Sequence, residues 1–349
     1  IKDTSLSPTE LSECKTLSYN DEGSINMVFF SNKETAKKYS DSLLGFSPLT
    51  ENKNKFNFYY IDDYLPECEI YEGIAVLCYN KDLIKKASSC PNDYIIVIKS
   101  EANKIRSSSY VNVMSINSNH PLTVLAHEFG HAFVPLAEEY VPAKIPSGSE
   151  NCQQTCQEFP SESEINGCFE GCSNSDFKRS INAGIMRTLS SFEYGIFNEK
   201  LILEQIKKQT TIKDSITGLQ IQEPRDCSNE KYHLIQGNYE SGNMTLIEKS
   251  IEQGCVGNNG MGGFDYKLIT KDDTTFDEGK FNPELIFTDA QSEKLNQENI
   301  EGETFENSGD FFLKIPSIPD SKSLEISKDQ EIILEVNLQD IGSRFCKLL

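Results

Sequence analysis

Basic residues, long apolar runs and histidine are all scarce in this chain. Lysine and arginine number 33 against 54 aspartates and glutamates in 349 residues, a formal net charge of −21. So negative a surface repels phosphate backbones and anionic headgroups, which excludes nucleic acid and anionic membrane as expected partners. Apolar runs stop at strand length, as in residues 94–98 (YIIVI). A bilayer span needs roughly 18 such residues, so membrane insertion is not expected. The glycine-rich stretch 257–263 (GNNGMGG) lacks a phosphate-binding spacing and reads as a loop. No internal repeat of useful period is present. Histidine occurs only four times, at His120, His127, His131 and His233.

Cysteine, in contrast, is plentiful. Eleven is too many for a typical cytosolic protein of this length, and an odd count leaves at least one thiol unpaired within the chain. This usage points to an oxidising compartment. With the chain beginning at Ile1 rather than Met, a removed secretory signal and a secreted or cell-surface location are expected.

The length suggests about two domains of ordinary size. Residues 24–30 (SINMVFF), 56–61 (FNFYYI), 73–79 (GIAVLCY) and 94–99 (YIIVIK) read as strands, and 110–116 (YVNVMSI) as an edge strand. A helix is expected over 33–44, and strands alternating with helices imply a mixed sheet in an α/β layer. Residues 121–133 carry the best helix signal: Asn119 suits the N-cap, Pro121 the first turn, and Pro135 stops it. Leu125, Phe129, Ala132 and Leu136 give it one apolar face. A further amphipathic helix is expected at 198–208. Beyond about residue 212, short alternating segments (232–235, 244–248, 264–270, 311–315, 331–338) are separated by Gly, Asn, Asp and Pro, the pattern of an all-β sandwich. Asn243-Met244-Thr245 is a glycosylation sequon.

Two of the four histidines stand in His127-Glu128-Phe129-Gly130-His131, an H-E-x-x-H pattern. At this composition chance produces it ~0.005 times per chain. Positions i and i+4 share a helix face, so both imidazoles can reach one Zn²⁺. Glu128 stands beside the first ligand, where its carboxylate can take a proton from a water activated by the ion. The alternative is two ordinary histidines satisfied by core or solvent. A third protein ligand is usual. Glu138 and Glu139 follow His131 closely, whereas the next histidine is His233. A carboxylate is therefore expected as third ligand, with Glu193 or Glu199 on a second helix as the competing arrangement.

Residues 127–140 (HEFGHAFVPLAEEY) resemble the signature of the IgA peptidase-like family of metzincin zinc metallopeptidases, usually H-E-F-G-H-S-F-x-G-L-x-D-E-Y. Residues 26–30, 56–61, 94–98 and 110–116 are similar to the family's core strands, and the resemblance spans about residues 23–205. It departs at Pro135, where the family has Gly, and at Glu138, where it has Asp. By analogy with metzincins the resemblance implies Glu138 as third ligand, leaving Glu139 as the alternative. It also implies a methionine turn at Met186 beneath the metal, and Tyr194 as a donor to the tetrahedral oxyanion.

Cys152, Cys156, Cys168 and Cys172 are spaced C-x₃-C-x₁₁-C-x₃-C. Two short antiparallel helices joined by Cys152–Cys172 and Cys156–Cys168 are expected, a second four-thiolate zinc being the alternative. Cys68, Cys78 and Cys90 should supply one bridge and Cys227–Cys255 another. Cys14 and Cys346 stay unplaced; Cys14 could cap the zinc in a latent form. The expected architecture is an α/β metzincin-like catalytic domain, a mixed twisted sheet with a zinc helix, over residues 1–212. It carries a disulfide-rich insert at about 147–174 that could wall the cleft. A C-terminal Ig-like β-sandwich follows over residues 213–349. The expected function is secreted zinc-dependent endopeptidase with one catalytic Zn²⁺ and a protein or peptide substrate aligned on the 110–116 strand. An inactive zinc-scaffold binding or adhesion module and a peptidase with a distant glutamate ligand are the rivals.

Overall fold

Hexapeptides that are apolar at nearly every position form strands buried on both faces. In the computed structural model, which describes residues 11–159, 161, 164–214, 225–291 and 300–339, such segments form the centre of a large sheet. The N-terminal part runs β1 (Lys15–Ser18), β2 (Ile25–Phe30), α1 (Lys33–Leu43), β3 (Phe56–Ile61), β4 (Glu69–Tyr71), β5 (Ala75–Leu77), α2 (Lys81–Ala87), β6 (Tyr94–Lys99), β7 (Ser107–Tyr110), β8 (Val113–Asn117) and α3 (Val124–Phe133). There follow β9 (Cys152–Gln153), β10 (Phe169–Cys172), β11 (Asn174–Arg179) and α4 (Ile196–Asp214). The rest is strand: β12 (Lys231–Glu240), β13 (Asn243–Gln253), β14 (Phe264–Thr270), β15 (Thr275–Phe281), β16 (Leu285–Gln291), β17 (Ile300–Glu306), β18 (Gly309–Pro316), β19 (Ser321–Lys328) and β20 (Glu331–Asn337).

The large sheet has the order β1-β3-β2-β6-β8-β7-β16-β17. Strands β3, β2, β6 and β8 are mutually parallel, while β1, β7, β16 and β17 pair antiparallel with their neighbours. Alternation along β2 sends Met27 and Phe29 to one core and Val28 and Phe30 to another. The first core is closed by side chains of α1, α3 and α4. The second is closed by α2 and by Tyr232, Leu234 and Phe312 from β12 and β18. Fully burying a side chain such as Leu234 contributes about 1.5–3 kcal/mol, so the C-terminal strands are part of the structure of the first sheet. They also form sheets of their own, β13-β12-β18 and β15-β14-β19-β20, which share a core that includes Ile235, Phe264, Phe311 and Leu324.

Four expectations need correction. Residues 110–116 are not one edge strand: the chain turns at Val111, φ 54°, so that Tyr110 pairs with Val113 and β8 is internal. A β-branched residue in left-handed backbone is unusual, which hides the turn from the sequence. The 73–79 strand is only β5, paired with β4 outside the large sheet. The helix that carries His127 and His131 begins at Val124 with Thr123 at its N-cap, and Asn119 instead donates to the Glu101 carbonyl. Within 213–349, the described strands β16 and β17 are not confined to a sandwich but extend the first sheet.

Five disulfides join Cys14–Cys90, Cys68–Cys78, Cys152–Cys172, Cys156–Cys168 and Cys227–Cys255, which suits an oxidising, extracellular environment. Cys14 is thus engaged away from any metal, and the four insert cysteines are not a zinc site. The insert is the small sheet β10-β11-β9 rather than a pair of helices. Among the described helices none is long and apolar enough to cross a membrane.

Ten of the eleven cysteines are bridged, and Cys346 lies outside the described residues. Titration of the denatured, unreduced chain should therefore give no more than about one thiol; two or more would contradict a bridge. Lys314 of β18 is buried and donates to Asn92 across the join between the sheets. Burial pulls its ammonium down to about 7 against the pull of Asp93. The unfolded chain therefore holds more protons than the folded one between about pH 7 and 10. Stability relative to Lys314→Met should rise with pH across that window, and a pH-independent difference in Tm would contradict the shift.

Candidate metal centre

Helix α3 is buried along its whole length, and it presents His127 and His131 on one face. Each ring is fixed by its far nitrogen: His127 Nδ1 lies 2.9 Å from the Ile185 carbonyl and His131 Nδ1 2.7 Å from the Leu136 carbonyl. A carbonyl only accepts, so each Nδ1 carries the proton and each Nε2 keeps its lone pair. The two Nε2 atoms face each other at 3.1 Å. Glu138 Oε1 lies 3.0 Å from His131 Nε2, and its Oε2 3.5 Å from His127 Nε2. A second carboxylate joins them from β16: Asp289 Oδ2 is 3.2 Å from His127 Nε2 and 3.9 Å from His131 Nε2.

These four donor atoms lie within 4.8 Å of one another and are buried. Neither Glu138 oxygen nor Asp289 Oδ2 has a hydrogen-bond donor. Two nitrogen lone pairs and two carboxylates repel one another in a dry interior unless a cation stands between them. The donor set therefore fits a metal ion, and its two nitrogens and two oxygens suit a borderline divalent ion such as zinc without naming it. Without the ion, burial opposes charge on His127, but the Asp289 and Glu138 carboxylates outweigh it and hold its pKa well above the ordinary value. Proton and cation thus compete for one lone pair.

Glu128, on the same helix, is fully buried, and neither of its oxygens has a partner. Burial first, and the Asp289 charge second, push its carboxyl well above the usual range. Met186 is also buried and packs beneath α3. A Cβ added at Gly130 would stand 2.7 Å from Met186 Sδ and 3.3 Å from Leu136 Cδ1. The helix therefore carries a glycine, at a cost of about 1 kcal/mol relative to alanine, and gains the close approach. The neighbouring Ile185 carbonyl is the one that orients His127.

Glu139 is not at the metal position. Its Oε1 instead accepts from Asn151 at 3.2 Å and Asn198 at 2.8 Å. Burial pushes its carboxyl up to about 7 against those two hydrogen bonds. Glu193 is exposed and Glu199 is held by Ser47 and Gly195, so neither joins the cluster. Tyr194 is fully buried and its hydroxyl donates to the Ala126 carbonyl, deep in the core beside Phe46. That bond leaves it no reach towards an oxyanion.

The cysteine-rich insert braces the segment that carries Glu138. Asn151 accepts from Ala137 N at 2.7 Å and donates to Ala137 O at 2.9 Å. Ser173 Oγ donates to the Glu138 carbonyl at 2.9 Å, and Ala137 packs on the Cys152 and Cys172 side chains. Asp289 went unnoticed in the sequence because residues 285–291 (LIFTDAQ) carry no ligand spacing. The partner of its other oxygen, Tyr140, donates to Oδ1 at 2.9 Å.

Neither the models of known protein families nor the characterised proteins compared with this chain match it.

Removing a bracing group of this kind typically costs 10–100-fold in metal affinity. Asn151→Ala should weaken zinc binding by about that factor in competition with a chromophoric chelator. An unchanged affinity would mean that the insert does not position Glu138.

Proposed function

We propose that the chain is a secreted zinc-dependent endopeptidase with a metzincin-like catalytic part of the IgA peptidase type and an Ig-like β-sandwich. One observation carries the reading: a buried glutamate without any hydrogen-bond partner, Glu128, stands between two histidines whose lone pairs converge with Glu138 on a cation position. An unpartnered buried acid is costly and persists where it has chemistry to do.

His127, His131 and Glu138 would hold the ion. A zinc ion bound there polarises a peptide carbonyl and lowers the pKa of water towards ~7. Glu128 accepts a proton from water at one carboxylate oxygen and returns it to the leaving amine. The Ile185 and Leu136 carbonyls keep both imidazoles in the ligating tautomer.

A second reading is supported by Asp289. Four protein donors complete a tetrahedral shell, which is the arrangement of structural zinc sites. On that reading the chain is an inert binding module on a metal scaffold. Glu128→Gln separates the two when introduced both into the parent and into an Asp289→Ala background. With metal content unchanged, hydrolysis of an unfolded protein should fall by about 10²–10⁴. A rate that survives Glu128→Gln, or no rate in either zinc-loaded background, would overturn the peptidase reading.

A further inference from the structure

Resting on the peptidase reading, we propose that β16 is a built-in, substrate-like strand that keeps the centre closed. Asp289 takes the fourth metal position until the β16–β17 hairpin is displaced.

The backbone supports the substrate likeness. Without β16, β7 would be the free edge of the large sheet on the side where α3 packs. An extended peptide docks on such an edge by adding a strand. β16 does so antiparallel, with Phe287 opposite Ser109, Thr288 opposite Ser108 and Asp289 opposite Ser107. Residues two apart share a face, so Phe287 and Asp289 both turn towards the ligands. The Phe287 ring stacks on His131 with centroids 4.0 Å apart and planes at 9°, while Asp289 Oδ2 meets His127. Thr288, facing the other way, donates to the Glu303 carbonyl of β17.

Access is blocked by the same strand. The space beside His131, between Pro135, Pro146 and Phe287, holds about 10 Å³. That is room for no more than a water molecule. A peptide can reach the ligands only if β16 leaves.

The contact is specifically fitted. Tyr140 holds Asp289 Oδ1, and β17 places Gly302 directly opposite Asp289. A Cβ at position 302 would lie 2.0 Å from both Asp289 Oδ1 and the Tyr140 hydroxyl, so only glycine lets the hairpin close. The hold from outside is weak. Among the described residues no strand lies beyond β17, and its ion pairs, Arg106–Glu303 at 3.6 Å and Lys144–Glu306 at 2.5 Å, involve exposed glutamates.

The test uses the full chain loaded with Co²⁺ or Zn²⁺, with Asp289→Ala and Gly302→Val. Gly302→Val alters no proposed ligand and so covers the case in which Asp289→Ala does not fold. The visible spectrum of the Co²⁺-loaded parent should be unmoved by a small hydroxamate. Both variants should keep one metal ion per chain and show a spectrum that shifts on adding it. Zinc-loaded variants should hydrolyse an unfolded protein at least about tenfold faster than the parent, as expected when a minor open state becomes the main one. If the parent spectrum responds to hydroxamate as the variants do, if Asp289→Ala abolishes metal binding, or if Gly302→Val behaves as the parent, the closure is overturned. If the spectra open as expected but no form hydrolyses, the strand still caps the metal and it is the peptidase reading that falls.

Discussion

Everything around the centre answers one electrostatic constraint: four electron-rich donor atoms held together in the buried interior. Such a group repels itself apart unless a cation occupies it and the surroundings forbid relaxation. The forbidding is visible residue by residue. The Ile185 and Leu136 carbonyls stop the imidazoles from turning. Gly130 lets Met186 press against the back of the helix. Asn151 and Ser173 grip the segment that carries Glu138 from both sides, and Tyr140 pins Asp289.

The sheet explains how such distant parts are brought to bear on one point. Its central strands are apolar on both faces, so helices alone do not cover them, and the C-terminal strands are drawn onto the second face by the same burial that holds the first. Once the C-terminal part is docked there, its β16–β17 hairpin meets the edge that β7 leaves open, and Asp289 arrives at the metal position as a consequence. The coupling of a β-rich region to the centre is thus a matter of packing rather than of a linker.

Legibility in the sequence tracked the range of the interactions. Residues 56–61 and 94–99 coincide with observed strands because a run of apolar β-formers allows little else. The pairings Cys152–Cys172, Cys156–Cys168 and Cys227–Cys255 are those expected, although the first two brace a small sheet and not the two helices their spacing suggested. The Val111 turn was not, since its backbone is one that valine rarely adopts. The role of Tyr194 was not either: the metzincin resemblance implied an oxyanion donor, and burial against Phe46 and Ala126 spent the hydroxyl elsewhere.

The sequence by itself determined the two histidines, the glutamate between them and the carboxylate that follows, because a helical turn and the chain leaving it are local geometry. Only the tertiary structure decided between Glu138 and Glu139, since Asn151 and Asn198, distant in sequence, hold the Glu139 carboxylate away from the histidines. It alone brought in Asp289, 149 residues from the tyrosine that holds it. No periodicity links positions so far apart; their meeting is set by which sheet edge is left to be covered and which strand is at hand to cover it.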